Sequence, residues 1–234
     1  MEETNLPRHI GFIMDGNGRW AKKRAMPRNY GHSRGAEVFK KTVNWCRELG
    51  IEAATFYAFS TENWKRPADE VNGIMDLLRR YIKDIREMAR ENVRFVFLGD
   101  LSAFDDDIRG ELLDIMEDSE RYTGFIAGVA LNYGGRAEIT KAAKELAAQC
   151  AAGELDLNDI TEDSIAERLY TRALPPLDLI IRPSGEQRLS NFLIWQAAYA
   201  ELVFMDVLWP DFKKKDLEYA IKEYAGRSRR FGGI

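Results

Sequence analysis

The chain has two cysteines and two histidines among 234 residues, and each scarcity removes a class of function. Cys46 and Cys150 stand far apart and outside any CxxC pair. That spacing argues against a disulfide framework or a zinc site and reads as two buried thiols in a reducing compartment. With only His9 and His32, any histidine acid–base chemistry falls on one of two side chains. Basic excess is missing as well. Lys and Arg total 34 against 38 Asp and Glu, a net charge of −4, the wrong sign for a general nucleic-acid binder. No apolar run approaches the roughly 20 residues of a transmembrane helix. Met1 to Arg8 carries Glu2 and Glu3 without an apolar centre, so no signal peptide is expected. The default location is cytoplasmic, with any membrane contact peripheral. Walker loops, G-x-G-x-x-G turns, internal repeats, low-complexity tracts and linkers are also lacking.

What is present is an ordinary globular balance, 45% hydrophobic and 31% charged, enough for a full core in one domain spanning 1–234. Strand-like apolar runs at 9–15, 53–59, 93–99, 125–132, 177–182 and 202–206 alternate with helix-period segments. Those segments fall at 35–49, 67–91, 105–121, 135–152, 161–171 and 214–226. The run FIAGVALN (125–132) has no polar alternation, as a strand buried on both faces requires. The alternation predicts a single α/β domain with a mostly parallel central sheet surrounded by helices. Ligands in such sheets bind outside the carboxyl ends of the strands. Polar clusters stand at those ends, after Asp15, Phe59 and Ile181.

The first cluster is Asp15-Gly16-Asn17-Gly18-Arg19-Trp20. A strand-end carboxylate can hold a metal, and the glycines let backbone N–H groups approach a phosphate, although Asn-Gly turn geometry alone also accounts for them. Next come Arg28 and Gly31-His32-Ser33-Arg34-Gly35, where His32 is either a polar helix cap or a ligand. Ser60-Thr61-Glu62-Asn63-Trp64-Lys65-Arg66-Pro67 follows the second strand; capping explains one hydroxyl and leaves Trp64 and Arg66 over. The last cluster runs from Arg182-Pro183-Ser184-Gly185 through Arg188-Leu189-Ser190-Asn191. Any one arginine is easily a surface residue. Arg19, Arg28, Arg66, Arg182 and Arg188 together point to a multiply charged anion, such as two diphosphates. Glu201 can pair with Asp15 around a hard cation such as Mg²⁺. Asp105-Asp106-Asp107 reads as the acidic first turn of a helix. The apolar stripe of the 67–91 helix reads as core, yet at about 1.5 Å per residue it is long enough to line a channel for an extended lipid.

These clusters resemble the cis-prenyltransferase family. The matching stretches are HIGFIMDGNGRWA (9–21), GHSRG (31–35), YAFSTENWKRP (57–67), GDL (99–101), NYGGR (132–136), IIRPSGEQRLSNFLIWQAAYAEL (180–202) and WPDF (209–212), in family order over nearly the whole chain. The resemblance implies a homodimer, a hydrophobic tunnel, and Mg²⁺-dependent condensation of isopentenyl diphosphate with an allylic diphosphate, giving a long cis-polyprenyl diphosphate of undecaprenyl length. It implies Asp15 and Asn63 as catalytic residues, and Asp15 with Glu201 at the metal. Gly16, Asn17, Gly18, Arg19, Trp20, Arg28 and His32 fall to the allylic diphosphate, and Ser60, Thr61, Glu62, Trp64 and Arg66 to the reacting ends. Arg182, Arg188, Leu189 and Ser190 fall to isopentenyl diphosphate, and Arg230-Phe231-Gly232 to the partner subunit's site. Asn63 is cast as proton acceptor, but a carboxamide is a very weak base and suits an orienting role better. Ala127 falls at the tunnel's closed end, where a small side chain suits a long product. Pro183, where the family more often has a hydroxyl residue, removes one backbone donor. The DDxxD pair of trans-prenyltransferases is absent, since Arg109 stands where its last aspartate would be. Two alternatives remain: a same-fold synthase of a short or branched product, and a non-catalytic partner subunit.

Overall fold

A computed structural model, which describes residues 6–227, gathers the apolar runs into one six-stranded sheet. Its strands are β1 (His9–Ile13), β2 (Ala53–Tyr57), β3 (Val93–Leu98), β4 (Phe125–Ala130), β5 (Leu179–Arg182) and β6 (Glu201–Phe204). They lie in the order β3-β4-β2-β1-β5-β6, and every pair is parallel. The helices are α1 (Asn17–Lys23), α2 (Arg28–Glu48), α3 (Ala68–Arg90), α4 (Asp106–Ser119), α5 (Gly135–Ala151), α6 (Glu162–Ala166) and α7 (Lys214–Ala225). All five residues of β1 are buried, because helices and loops cover both faces of a parallel sheet.

Side-chain alternation splits the core in two. On one face Phe12 stacks on Phe56 with ring centroids 5.0 Å apart, and α2, α3 and α7 add Phe39, Met75, Ile85, Leu217 and Tyr224. The other face packs Ile13, Leu98, Tyr133, Ile180 and Phe192. Each such aromatic or aliphatic side chain contributes about 1.5–3 kcal/mol through burial.

Several boundaries differ from the sequence expectation, each for a local reason. Helix α2 begins at Arg28 rather than near residue 35, since Pro27 can stand at its cap without wasting an N–H. Gly31 and Gly35 therefore lie inside the helix, one turn apart. A Cβ at Gly31 would come within 2.2 Å of the Asn17 carbonyl, and one at Gly35 within 2.4 Å of Asn17 Oδ1. Their purpose is close approach of α1 to α2, a tertiary gain that overrides poor helix propensity. Helix α1 makes the 13–20 segment a strand–turn–helix corner, and it forms although Gly16 at its cap and Gly18 within it are weak helix formers. The 161–171 segment is helical only to Ala166, and β6 starts one residue early, at Glu201.

Candidate functional site

Asp15 and the end of β5 meet where the strand order turns, the place where open α/β sheets bind ligands. Asp15 Oδ2 accepts from Arg182 Nη2 at 2.9 Å and from Ser184 Oγ at 2.9 Å, and Arg19 Nη2 lies 3.4 Å away. Burial opposes ionisation of Asp15. The bonds from Arg182 and Ser184 and the charges of Arg182 and Arg19 outweigh it and hold the carboxyl below its ordinary range. Arg182 is 3% exposed. Its Nη1 donates to Ser190 Oγ at 2.8 Å and to the Arg188 carbonyl, so one buried arginine shapes the whole 184–190 loop. That loop carries left-handed backbone at Ser184 (φ 94°) and Ser190 (φ 50°), strain of the kind that functional loops store. Arg188 is largely exposed and pairs with Glu186, which also faces Arg19 at 3.4 Å.

Across the cavity mouth, residues 61–65 form a 3₁₀ turn entered through Ser60. Asn63 Oδ1 accepts the Ser60 N–H at 3.0 Å, which commits its oxygen and leaves its NH₂ as the group to meet a ligand. Asn191 Nδ2 donates to Glu62 Oε1 at 2.9 Å, tying this turn to the 184–191 loop. Beside it, Glu70 in the first turn of α3 accepts from Arg66 at 2.6 Å and forms an ion pair with Arg28 at 3.1 Å, with His32 Nε2 at 3.8 Å. Burial, reinforced by Arg66, lowers the His32 pKa to about 4, so it is neutral near pH 7.

Between these two sides opens a cavity of about 690 Å³. Its mouth is polar, with Asp15, Asn17, His32, Asn63, Arg66 and Arg182. Its interior is apolar, with Phe39, Met75, Leu78, Ile85, Val129 and Leu131. The long helix thus serves both readings of its stripe: Met75 and Ile85 are core residues and cavity wall together. Ala127 is fully buried on the same face of β4 as Val129 and two residues further from the mouth.

The cavity wall takes in Asp15, Asn17, His32, Ser60, Glu62, Asn63, Arg66, Arg182, Arg188 and Ser190. Gly16, Gly18, Arg19 and Arg28 stand behind or beside it. Gly16 (φ 105°) turns the chain from β1 into α1 against Leu208, and a Cβ at Gly18 would crowd Arg28. Other expected residues are placed elsewhere. Trp20 packs with Ala21 and Leu208 and donates its indole N–H to Asp211 at 2.8 Å. Thr61 gives its N–H to the Tyr133 carbonyl, Trp64 donates to Asn132 Oδ1 at 2.8 Å, and Leu189 packs on the second core cluster. The expected Asp15–Glu201 pair does not form within one chain. Glu201 opens β6 opposite Leu179, three residues and roughly 10 Å before the Arg182 end that holds Asp15. It pairs instead with Arg227 at 2.6 Å. Arg230-Phe231-Gly232 lies outside the described residues. Asp105 and Asp107 pair with Arg79 at the start of α4, in line with the helix-end reading.

Ser184 and Glu70 were not singled out from the sequence. Ser184 sat within a flagged loop, whereas Glu70 looked like an ordinary first-turn acid. Among the described residues no three His, Cys, Asp or Glu side chains cluster as a metal cage. Asp15 alone still suits Mg²⁺, which often takes one or two carboxylates and completes its shell with phosphate and water. The contacts from Arg182, Ser184 and Arg19 all fall on carboxylate Oδ2, and the residue borders the cavity.

The chain matches the family described as "Putative undecaprenyl diphosphate synthase" over residues 13–232. It is 50% identical over 233 residues to the isoprenyl transferase of Clostridium perfringens, covering 99% of this chain and 92% of that protein. It is 42% identical over 234 residues to the farnesyl-diphosphate-specific ditrans,polycis-undecaprenyl-diphosphate synthase of Haemophilus influenzae, covering 100% and 98%. Among solved structures it is similar to lavandulyl diphosphate synthase from Lavandula x intermedia in complex with dimethylallyl diphosphate. The TM-score there is 0.93 and the identity 33%, over 97% of this chain and 98% of that one. A structure titled as a probable undecaprenyl diphosphate synthase from Campylobacter jejuni gives a TM-score of 0.79 at 34% identity, over 97% and 99%.

Proposed function

We propose, for a chain that belongs to the cis-prenyltransferase family, that it condenses isopentenyl diphosphate with farnesyl diphosphate in the presence of Mg²⁺ to build undecaprenyl diphosphate. The observation that carries this is one cavity with a cationic, carboxylate-bearing mouth and an apolar interior. Such a cavity suits a molecule with a charged head and a hydrocarbon tail.

In this reading Arg28, His32 and Arg66 receive the allylic diphosphate, while Arg182, Arg188 and Ser190 receive that of isopentenyl diphosphate. Asp15 would hold Mg²⁺, which when bound would supply positive charge to offset that of the leaving diphosphate. The terminal carbon of isopentenyl diphosphate bonds to C1 of the allylic substrate as the C1–O bond breaks. A proton on C2 of the former isopentenyl unit then passes to an oxygen of the released diphosphate and leaves the new C2=C3 double bond. Fixed arginines favour this step because they face charge that grows as diphosphate separates. Asn63 contributes its NH₂ as a donor that orients an oxygen, since its own carbonyl is engaged by Ser60. The apolar interior takes the growing chain, and the small Ala127 beyond Val129 leaves depth for a long one. A homodimer, a cytoplasmic location and peripheral membrane contact belong to the same proposal. The described residues contain no helix long and apolar enough to cross a membrane.

The test is a product-length assay with Mg²⁺, farnesyl diphosphate and labelled isopentenyl diphosphate, with EDTA as control. The expected result is a ladder ending near undecaprenol after dephosphorylation, abolished by EDTA. A short or branched product would keep the chemistry and overturn the chain length. No product from any allylic primer would overturn the assignment of catalysis to this chain alone.

A further inference from the structure

Glu70 lies outside every motif that the sequence singled out, yet its side chain is only 9% exposed and draws three groups to one oxygen. Oε1 accepts from Arg66 Nη1 at 2.6 Å and forms an ion pair with Arg28 Nε at 3.1 Å, and His32 Nε2 stands 3.8 Å away. Helix capping does not explain this. The cap residue of α3 is Pro67, which has no N–H for a third-position glutamate to accept. Asp69, one residue earlier and exposed, already gives the first turn its favourable negative charge. A carboxylate serving only the helix end would remain in water, because burial is costly unless cationic partners offset it.

We propose that Glu70 is a positioning residue for the allylic diphosphate site, its single oxygen holding Arg28 and Arg66 side by side and facing His32. The inference rests on the prenyl-transfer reading. The two arginines come from different elements: Arg28 opens α2, and Arg66 closes the 3₁₀ turn before α3. No shared backbone hydrogen-bond pattern fixes their spacing, and two guanidinium groups so close repel each other. One carboxylate oxygen between them makes them converge, as two oxygens of one diphosphate would. Two arginines and one glutamate leave a net positive charge, so an incoming diphosphate still meets attraction. Glu70 is also four and five residues before Ile74 and Met75, which line the apolar cavity. The residue that spaces the phosphate groups is thereby fixed to the wall that receives the chain.

Calorimetric titration with farnesyl thiodiphosphate, an allylic analogue that resists ionisation, tests this without turnover. The wild-type protein is expected to bind it with Mg²⁺ present, and Glu70→Gln to bind it about tenfold more weakly or worse. The KM of the variant for isopentenyl diphosphate is expected to stay near the wild-type value. Arg66→Met should also weaken the analogue, and the Arg66→Met/Glu70→Gln pair should cost less than the sum of the singles, because Glu70 then has one arginine fewer to place. Unchanged analogue binding, additive losses, or equal losses for both substrates would overturn the inference. If Glu70→Gln does not fold, Glu70→Asp carries the test. It keeps the charge, withdraws it by one methylene, and is expected to weaken the same analogue; equal binding would again overturn the inference. A wild-type protein that binds no allylic analogue would overturn the prenyl-transfer reading and this inference together. Binding that is normal in both wild type and variant would overturn this inference alone.

Discussion

At the amino edge of the sheet, His9 sits with both ring nitrogens engaged. With the proton on Nδ1 it donates to the Pro175 carbonyl at 2.9 Å, and Nε2 accepts from Thr55 Oγ1 at 2.8 Å. Asp178 beside it takes the backbone N–H groups of Arg8 and His9. At the carboxyl edge, His32 is kept neutral to the same degree: burial is the leading cause for both rings, and both pKa values fall to about 4. Yet the buried His32 Nε2 has no hydrogen-bond partner among the described residues, and the Asp15 carboxylate meets Arg182 and Ser184 through Oδ2 alone. Burial and a shifted pKa therefore do not separate structure from function here. What separates the edges is polar capacity left unspent, and the edge with capacity to spare opens onto the cavity with the apolar interior.

Substitutions at the two edges should therefore fail in different ways. Asp15→Ala is expected to lower turnover by about a hundredfold or more, because it removes the anchor of Arg182 and the candidate Mg²⁺ ligand together. Its far-UV and near-UV circular dichroism should stay native, since the side chain fills no core volume. Near-normal turnover would end the assignment of this edge as the site. Arg188→Ala comes next: its exposed guanidinium pairs at the surface with Glu186 and can turn to a ligand, so KM for isopentenyl diphosphate should rise while KM for the allylic primer holds. An effect confined to the primer would exchange the two diphosphate sites.

His9→Gln should do the reverse, leaving both KM values near wild type and lowering stability by about 1–3 kcal/mol through lost buried hydrogen bonds. It should also alter the pH dependence. A histidine whose folded pKa is about 4 binds protons less readily than the unfolded chain, whose histidines titrate near pH 6.5. Its contribution is fully present above pH 6.5 and is lost as pH falls toward 4. Urea unfolding across that window should show wild-type stability falling more steeply than that of His9→Gln. Parallel curves would mean that His9 is not the group responsible.

The sequence made the carboxyl edge readable because its residues come in runs. Asp15 to Trp20, Ser60 to Arg66 and Arg182 to Asn191 each crowd several functional types beside one strand end, and the parallel sheet brings those ends together. Most strands were equally plain, since β1 and β4 are unbroken apolar stretches buried on both faces. Glu70 was hidden because its role depends on Arg28, forty-two residues earlier, and on Pro67 forbidding the usual cap. Trp20 stands apart from the cavity for a related reason. It stands inside a dense motif, but the turn at Gly16 aims it at Leu208 and Asp211 instead of the cavity. Glu201 stands apart from Asp15 within one chain through topology: it opens β6, whereas Asp15 follows the end of β1, two strands away and at the opposite edge.

The smallest effect should come from the exposed charges of the amino edge. Arg8 pairs with Glu52 through Nε at 2.8 Å and Nη2 at 3.0 Å, a two-pronged geometry that favours it among surface pairs. Both side chains are more than half exposed, however, so water and salt screen them. The link from Arg8 to buried Asp178 runs through its backbone N–H, which a substitution leaves in place. Arg8→Gln should thus leave both KM values unchanged and lower the melting temperature only slightly, with the difference shrinking in high salt. A large, salt-independent loss would mean that the amino edge depends on its surface ions as well as on its buried bonds. A change in KM would couple the two edges and remove the distinction drawn between them.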